Sequence, residues 1–381
     1  MVTNFLNIVV TKIVTPDNRE VFIMKTVFEK ANVGGITLKN RIIRSATQEG
    51  AADQDGHITE KFISIYERVA EGGAGAAITC MIGVDENSRV FPYMAKAYDD
   101  DFVPGLGEIV NKAHTRDCKI IVQLAHCGAK ANPDNGNKPL APSDAVLSED
   151  KSAKSMTKEE IQSVIYSFAL AAERCKQAGA DGVQIHGAHG YLLSEFLSPL
   201  FNKRNDEYGG DISNRAKIVF EVYAAIREKV GDDYPIWIKI NGEDYVSGGL
   251  GFEECLWVCC ELDKLGINGI EISGGISISP ESSSARHMSS SDKEGVFAQN
   301  AMQIAENVNA SVISVGCYRT PDMIEEWLNR GKIQAISLCR PLICEPELPS
   351  IWESGNRRKS KCISCNKCFD FKSGFGCKVF K

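Results

Sequence analysis

Eight short apolar runs, each followed by a stretch long enough for a helix, restrict the folds open to this chain more than any other feature. They cover residues 41–47, 76–80, 119–124, 181–186, 235–240, 269–273, 311–315 and 334–338. The runs are continuous rather than alternating, as expected of parallel strands covered on both faces. The clearest helix is predicted over residues 157–178, where Ile161, Val164, Ile165, Phe168, Ala172 and Cys175 share one face. Thr157 followed by Glu160 reads as a capping box, and Gly179 ends the helix. Two more helices are predicted over 214–230 and 252–265, stopped by Gly231 and Gly266. The stretch Gly179-Ala180-Asp181-Gly182-Val183-Gln184-Ile185 is echoed by Gly266-Ile267-Asn268-Gly269-Ile270-Glu271-Ile272. Both read as helix stop, tight turn and buried strand. Eight such units predict an α/β fold, a (β/α)8 TIM barrel. An open doubly wound sheet usually needs fewer strands, and no GxGxxG follows the first run.

A chain of 381 residues has room for one barrel with appendages. Its net charge of -7, with no long basic run, argues against nucleic acid as a partner. No apolar run approaches the roughly 18 residues that cross a bilayer. Residues 1–24 lack a signal-peptide pattern and read as an N-terminal extension expected to be poorly ordered. The barrel is placed at 25–352. Residues 353–381 form a polar, cysteine-rich tail. Fourteen cysteines without a signal peptide point to a reducing compartment, the cytoplasm.

A barrel carries its chemistry at the carboxyl ends of its strands. There the first run ends in Ser45-Ala46-Thr47-Gln48, the third in Gln123 and then His126, and the fourth at His186, with His189 and Tyr191 beyond. The glycines Gly274, Gly275 and Gly316 after runs six and seven, with Arg340 after run eight, suggest an anion site of backbone N–H groups and a guanidinium fork. Turn-making alone is the competing account of those glycines. His186 and His189 can donate two N–H bonds to one oxygen and polarise an adjacent double bond. A satisfied core histidine is the alternative for His186, and a metal pair is disfavoured because no carboxylate–histidine set completes it. Tyr191 either donates a proton or packs. Lys239 lies inside a buried run and should face an anion or a cofactor dipole. His126 reads equally as a rim residue or a functional one. Residues 133–155 and 277–291 are expected to roof the pocket.

These residues also carry a family resemblance. The stretch HGAHGYLLSEFLSPLFNKRNDEYGGDISNR at 186–215, with QLAHCG at 123–128 and LKNRI at 38–42, resembles the Old Yellow Enzyme family of FMN-dependent oxidoreductases over about 25–352. The resemblance implies FMN across the barrel mouth, with Ala46, Thr47, Gln48 and Met81 lining the flavin ring. It places Gln123 on the pyrimidine edge and Lys239 near flavin N1. Gly274, Gly316, Cys317, Cys339 and Arg340 would surround the phosphate. His186 and His189 would bind the substrate oxygen, and Tyr191 would stand close by, with the proton coming from it or from water. The implied reaction uses NADH or NADPH as reductant and reduces activated C=C bonds, as in enones or nitroalkenes, on a small-molecule substrate. Relatives are often homo-oligomers. Cys339 departs from the glycine usual at its position.

The tail reads Cys362-x2-Cys365-x2-Cys368, then Cys377. Longer relatives, similar to dienoyl-CoA reductase and trimethylamine dehydrogenase, carry a [4Fe–4S] cluster on a comparable segment, with wider spacing, and continue into further domains. Four close cysteines can ligate iron–sulfur or zinc; free thiols are the alternative. With a cluster present, a ferredoxin-like donor becomes plausible. An iron–sulfur flavoenzyme and a flavin-binding electron carrier are therefore the rival functions.

Overall fold

The computed structural model describes residues 11–14, 20–133, 136–148, 151–280, 293–370 and 374–380. Eight parallel strands close into a barrel: β1 (Ile42–Arg44), β2 (Ala76–Gly83), β3 (Lys119–Ala125), β4 (Gly182–Gly187), β5 (Ile236–Asn241), β6 (Gly269–Ser273), β7 (Ser311–Val315) and β8 (Ala335–Leu338). The pairing runs in chain order, and β8 pairs with β1 to close the ring. The TIM barrel expected from the eight runs is the fold of this chain. β1 is shorter than expected, because residues 45–48 leave the ladder and turn across the barrel mouth.

Register decides what each strand presents. Val183, Ile185, Ile238, Ile240, Ile270 and Ile272 belong to the large apolar cluster that the strands share with the surrounding helices. The intervening residues Gln184, His186, Lys239, Glu271 and Ser273 are buried polar groups of the barrel interior. The floor is apolar: Ile43, Ile78, Ile121, Trp237 and Ile313 pack beneath the strands' amino ends. A hairpin of Ala31–Val33 and Ile36–Leu38 caps that floor, and Trp237 Nε1 donates to Gly34 O at 2.9 Å. Gly34 sits at φ +54°, and a Cβ there would lie 2.4 Å from Trp237 Nε1, so the turn needs glycine. With the floor sealed, the cavity opens at the carboxyl ends.

The helices follow the sequence pattern, with α1 at Glu60–Glu71, α2 at Phe102–His114 and α3 at Lys158–Gln177. α3 begins with the expected capping box: Thr157 Oγ1 accepts from Glu160 N at 3.2 Å and Glu160 Oε2 from Thr157 N at 2.8 Å. The helix expected over 214–230 is divided at Ala216 into Ile212–Arg215 and α4 (Lys217–Val230). α5 (Phe252–Leu265) ends on Gly266 in the left-handed region, as predicted. α6 (Ala298–Ala305) and α7 (Pro321–Arg330) complete the ring. Among the described residues no helix is long and apolar enough to cross a membrane. Within the N-terminal extension, Thr11–Val14 and Glu20–Ile23 pair antiparallel; residues 1–10 and 15–19 lie outside the described residues.

Candidate active site

A cavity of about 300 Å³ lies over the carboxyl ends of the strands. That is within the usual range for a cofactor pocket. One wall is Ala46, Thr47 and Gln48 from beyond β1, with Met81 from β2 and Gln123 from β3. A register shift between Ile78 and Met81 re-aims β2, and Thr79 Oγ1 accepts from Gln123 N at 3.0 Å. Gly316, Cys317, Cys339 and Arg340 line the opposite end. Gly274 is the exception among the predicted binding residues. It does not line the cavity; Gly275 does. A Cβ on Gly274 would meet the Phe297 ring at 2.6 Å and the Tyr245 ring at 2.7 Å, so this glycine serves close packing. The expected roof at 133–155 contributes none of its described residues; Leu140–Ala141, Ala145–Ser148 and Lys151–Ser155 form their own small sheet. Ser277 lines the cavity, and 281–292 lie outside the described residues.

His186, His189 and Tyr191 converge at one side of this cavity. The His186 ring centroid is 5.4 Å from His189 and 5.1 Å from Tyr191. His186 is the penultimate residue of β4 and lines the cavity. His189 and Gly190 follow at φ +64° and +67°, a turn that brings the second imidazole back over the barrel. Asn241 Oδ1 accepts from His189 N at 3.2 Å, and Lys130 Nζ donates to His189 O at 2.8 Å. The same ammonium stands 4.8 Å from the Tyr191 ring centroid. Lys130 went unread in the sequence. Its backbone neighbour Ala129 donates to the buried Glu195 carboxyl at 3.2 Å, which anchors the segment.

Burial, then the Lys239 and Lys130 charges, hold the His186 imidazolium pKa down to about 3. The ring is therefore neutral near pH 7, and its buried Nδ1 has no partner among the described residues. An unfolded histidine titrates near ~6.5. Below that, the unfolded chain binds a proton that the folded chain refuses, so His186 makes stability fall as pH drops from about 6.5 toward 3. Denaturant unfolding at pH 7 and pH 5 checks this: His186→Asn should shrink the pH dependence, and an unchanged slope would refute the assignment.

His126 resolves as structural. Its Nδ1 accepts from Gly128 N at 3.1 Å, its Nε2 faces Asp85 at 3.6 Å, and it does not line the cavity.

Lys239 does face the cavity, but it is already paired. Its Nζ lies 3.2 Å from Glu271 Oε1 and 2.8 Å from Ser45 Oγ. Glu271, fully buried, also accepts from Ser45, Ser337 and Gln184, and Gln123 donates to Gln184 at 2.7 Å. Burial pushes the Glu271 pKa up, but Lys239 and the three donors outweigh it and hold the carboxylate ionised. This network fixes the amide of Gln123 and the ammonium of Lys239 from below. Glu271 is the functional support that the sequence reading missed. Its signal was present: Gln184 and Glu271 are the polar members of the two echoed units.

The charge of the lining is one-sided. Lys130, Lys239, Arg319 and Arg340 line the cavity, and among the described residues no aspartate or glutamate does. In a chain of net charge -7 that is a site made for an anion. The Gln48 side-chain amide is buried, and neither of its polar atoms is bonded among the described residues. Orphaned amide, orphaned imidazole nitrogen and cationic lining together fit a large, polar-edged anionic cofactor such as FMN.

Residues 26–359 match the NADH:flavin oxidoreductase / NADH oxidase family. The chain belongs to that family. Its relatives include a metal reductase of Desulforamulus reducens, 35% identical over 351 residues that make up 91% of this chain and 52% of that protein. The NADH oxidase of Thermoanaerobacter brockii is 32% identical over 344 residues, 89% of this chain and 52% of that one. The chain thus spans about half the length of these two relatives. The NADPH dehydrogenase of Halalkalibacterium halodurans, 35% identical over 329 residues, is matched over 92% of its length and 84% of this chain. A solved 2-naphthoyl-CoA reductase in complex with 2-naphthoyl-CoA superposes with a TM-score of 0.84 at 25% identity, over 90% of this chain and 54% of that one. An old yellow enzyme homologue from Zymomonas mobilis shares the fold, with a TM-score of 0.75 at 24% identity over 89% of this chain and 96% of that one.

In this family member the tail folds back on the barrel. Arg340, at the end of β8, donates from Nη1 to Asn366 Oδ1 at 2.6 Å and Ser364 O at 3.3 Å, and from Nη2 to Cys317 Sγ at 3.1 Å. Ser364 and Phe369 consequently line the cavity. On the far side of Arg340, Cys362, Cys365, Cys368 and Cys377 share a second void with Cys344. That void measures about 20 Å³, room for roughly one water. Among the described residues no three cysteine, histidine or acidic side chains stand together as a metal-holding set. The metal expected at these four cysteines is not assigned.

Proposed function

We propose that this chain is an FMN-dependent NAD(P)H oxidoreductase that reduces activated C=C bonds, such as those of enones or nitroalkenes. The observation that carries the reading is the pair of imidazoles beside Tyr191 in a cavity lined by cations and no carboxylate. The names of relatives, NADPH dehydrogenase and NADH oxidase among them, support a nicotinamide as reductant. FMN, when bound, supplies the hydride chemistry. The protein's own residues do the rest. Neutral His186, together with His189, donates N–H bonds to the acceptor's oxygen and meets the negative charge that develops there. For His189 to donate from Nδ1, Ser273 Oγ must donate to Nε2, 2.8 Å away, which sets the tautomer. Tyr191 delivers the proton that completes the reduction, and the ammonium of Lys130 over its ring favours release of that proton. In the tail, the cysteines act as thiols that wall the second void.

Anaerobic oxidation of NADH or NADPH, with and without cyclohexenone or a nitroalkene, tests the proposal. Acceleration by either acceptor is expected. No acceleration with any acceptor would favour a flavin-binding electron carrier. Assay of the same preparation for iron, acid-labile sulfide and zinc tests the tail: a stoichiometric metal would overturn the thiol reading and favour an iron–sulfur flavoenzyme.

A further inference from the structure

Three residues of one cavity wall, Ala46, Thr47 and Gln48, stand on a stretch that has left the β1 ladder, and a fourth, Met81, follows the register shift in β2. Irregular backbone of this kind has no continuous ladder to hold its side chains, and a bulge beside a site commonly re-aims one of them. The two irregular segments are joined from behind. Arg44, the last residue of β1, and Glu49, five residues on, bracket residues 45–48 and form an ion pair between Arg44 Nη2 and Glu49 Oε1. Both are 1% exposed.

Tyr66 of α1 completes the cluster. Its hydroxyl donates to the same Glu49 Oε1 at 2.9 Å and accepts from Cys80 N at 2.7 Å. Cys80 lies within the register shift, so the tyrosine takes up a backbone donor where the ladder is interrupted. Arg44 Nη1 donates to Ile78 O at 3.3 Å, at the start of the shift, and the guanidinium carbon lies 5.0 Å from the Tyr66 ring centroid. One buried cluster thus ties the end of the first segment to both sides of the second. None of Arg44, Glu49, Tyr66 and Cys80 lines the cavity. A buried ion pair is a poor source of stability compared with apolar packing of the same volume, and its better-attested use is to fix one conformation among several. Glu49 Oε2, buried with no partner among the described residues, adds a cost that stability alone does not account for.

We propose that Arg44, Glu49 and Tyr66 are positioning residues, a buried clasp that locks residues 45–48 and the backbone before Met81 into one rigid wall against the flavin ring. This rests on the FMN reading and deepens it. The clasp touches neither flavin nor acceptor and acts through the main chain. Glu49 holds one end of the first segment. At the other end Ser45 N donates to Leu338 O at 2.9 Å, and Thr47 Oγ1 donates to Ser45 O at 3.1 Å between them. Opening the clasp leaves the cations of the cavity in place, so flavin still binds, but its ring no longer meets a fixed wall. A misplacement of about 1 Å in a bound reactant can cost on the order of 10²-fold in rate.

Tyr66→Phe removes only the oxygen that joins Glu49 to Cys80 N. It should lower kcat for NADPH oxidation by roughly 10- to 100-fold, change the visible circular dichroism of the bound flavin, and leave KM and FMN affinity little altered. Glu49→Gln keeps the acceptor oxygen and loses the counter-charge of Arg44, so it should lower Tm yet retain the wild-type kcat and dichroism. Val222→Ala, a cavity in the outer helix α4, is the control for plain destabilisation: Tm should fall with neither readout moved. Hydrogen–deuterium exchange on the flavin-free full-length protein reads the clasp without any cofactor, and Tyr66→Phe should speed exchange at residues 45–49 and 79–81. Arg44→Lys, which keeps the charge and loses the second arm to Ile78 O, is read in the same way if Tyr66→Phe does not fold. Unchanged exchange, unchanged kcat, or an equal kcat loss in Val222→Ala would each overturn the clasp while leaving the FMN reading intact. A wild type that takes up no FMN would remove the FMN reading instead, and the exchange rates would still decide whether the clasp holds the wall.

Discussion

Replacing both His186 and His189 with alanine should lower acceptor-dependent kcat/KM by about 10³-fold or more, since removing one preorganised donor at a developing oxyanion typically costs 10²–10³. Each single alanine should cost on the order of 10²-fold, and the two should combine less than additively because they serve one oxygen. Flavin content should hold, because neither imidazole is needed to retain the phosphate end. The physical reason for so large an effect lies in how the pair is built. Neutral His186 has a buried, unpartnered Nδ1, so it enters the reaction already desolvated. His189 is locked by Asn241, Ser273 and Lys130, so little reorganisation remains when charge develops. Steady-state rates with cyclohexenone, normalised to bound flavin, check this. A loss below about tenfold in the double variant would mean that the oxygen is held elsewhere.

Glu271→Ala is expected to be the most damaging change to the barrel itself. It strips the Lys239 ammonium of its counter-charge and leaves Ser45, Ser337 and Gln184 each short of an acceptor. Breaking a buried ion pair from one side costs about 3–5 kcal/mol, and a Tm decrease on the order of 10 °C follows for a domain of this kind. Removing both charges, as Glu271→Met with Lys239→Met, should recover much of that loss, because no uncompensated charge then remains. The double variant should still lose flavin chemistry, since Lys239 lines the cavity. Thermal unfolding of the three proteins decides; a double variant no more stable than Glu271→Ala would show that packing, not charge, dominates there.

The barrel was legible because each of its units announces itself locally. Gly179 and Gly266 stop helices, and the runs behind them are strands wherever a chain of this pattern folds. The site residues from 46–48, 123, 186–191 and 339–340 were legible for a related reason, whereas Met81 came from the family resemblance alone. In a barrel, being at a strand's carboxyl end is the same as being at the cavity, so sequence order converts directly to place. Gly274 escaped that conversion. One residue separates a cavity-lining glycine from one pressed against Phe297 and Tyr245, and only side-chain packing tells them apart. Lys130 and Arg319 escaped it too, because both stand beyond the strand ends, Lys130 on a single 3-10 turn and Arg319 on a loop, where no period governs direction.

By itself, the sequence determined the eight-unit repeat, the family and the convergence of His186, His189 and Tyr191, all of which depend on order along the chain. Tertiary structure alone decided the charges. It turned Lys239 from a cation in want of an anion into one half of a pair with Glu271, 32 residues away. It also left two nitrogens of the Arg319 guanidinium without partners among the described residues and brought the tail over the end of the cavity that Arg340 lines. The division has a physical cause. Periodicity and caps are properties of neighbours in sequence, whereas a buried charge is settled only by whatever distant group the fold carries to within a few ångströms of it.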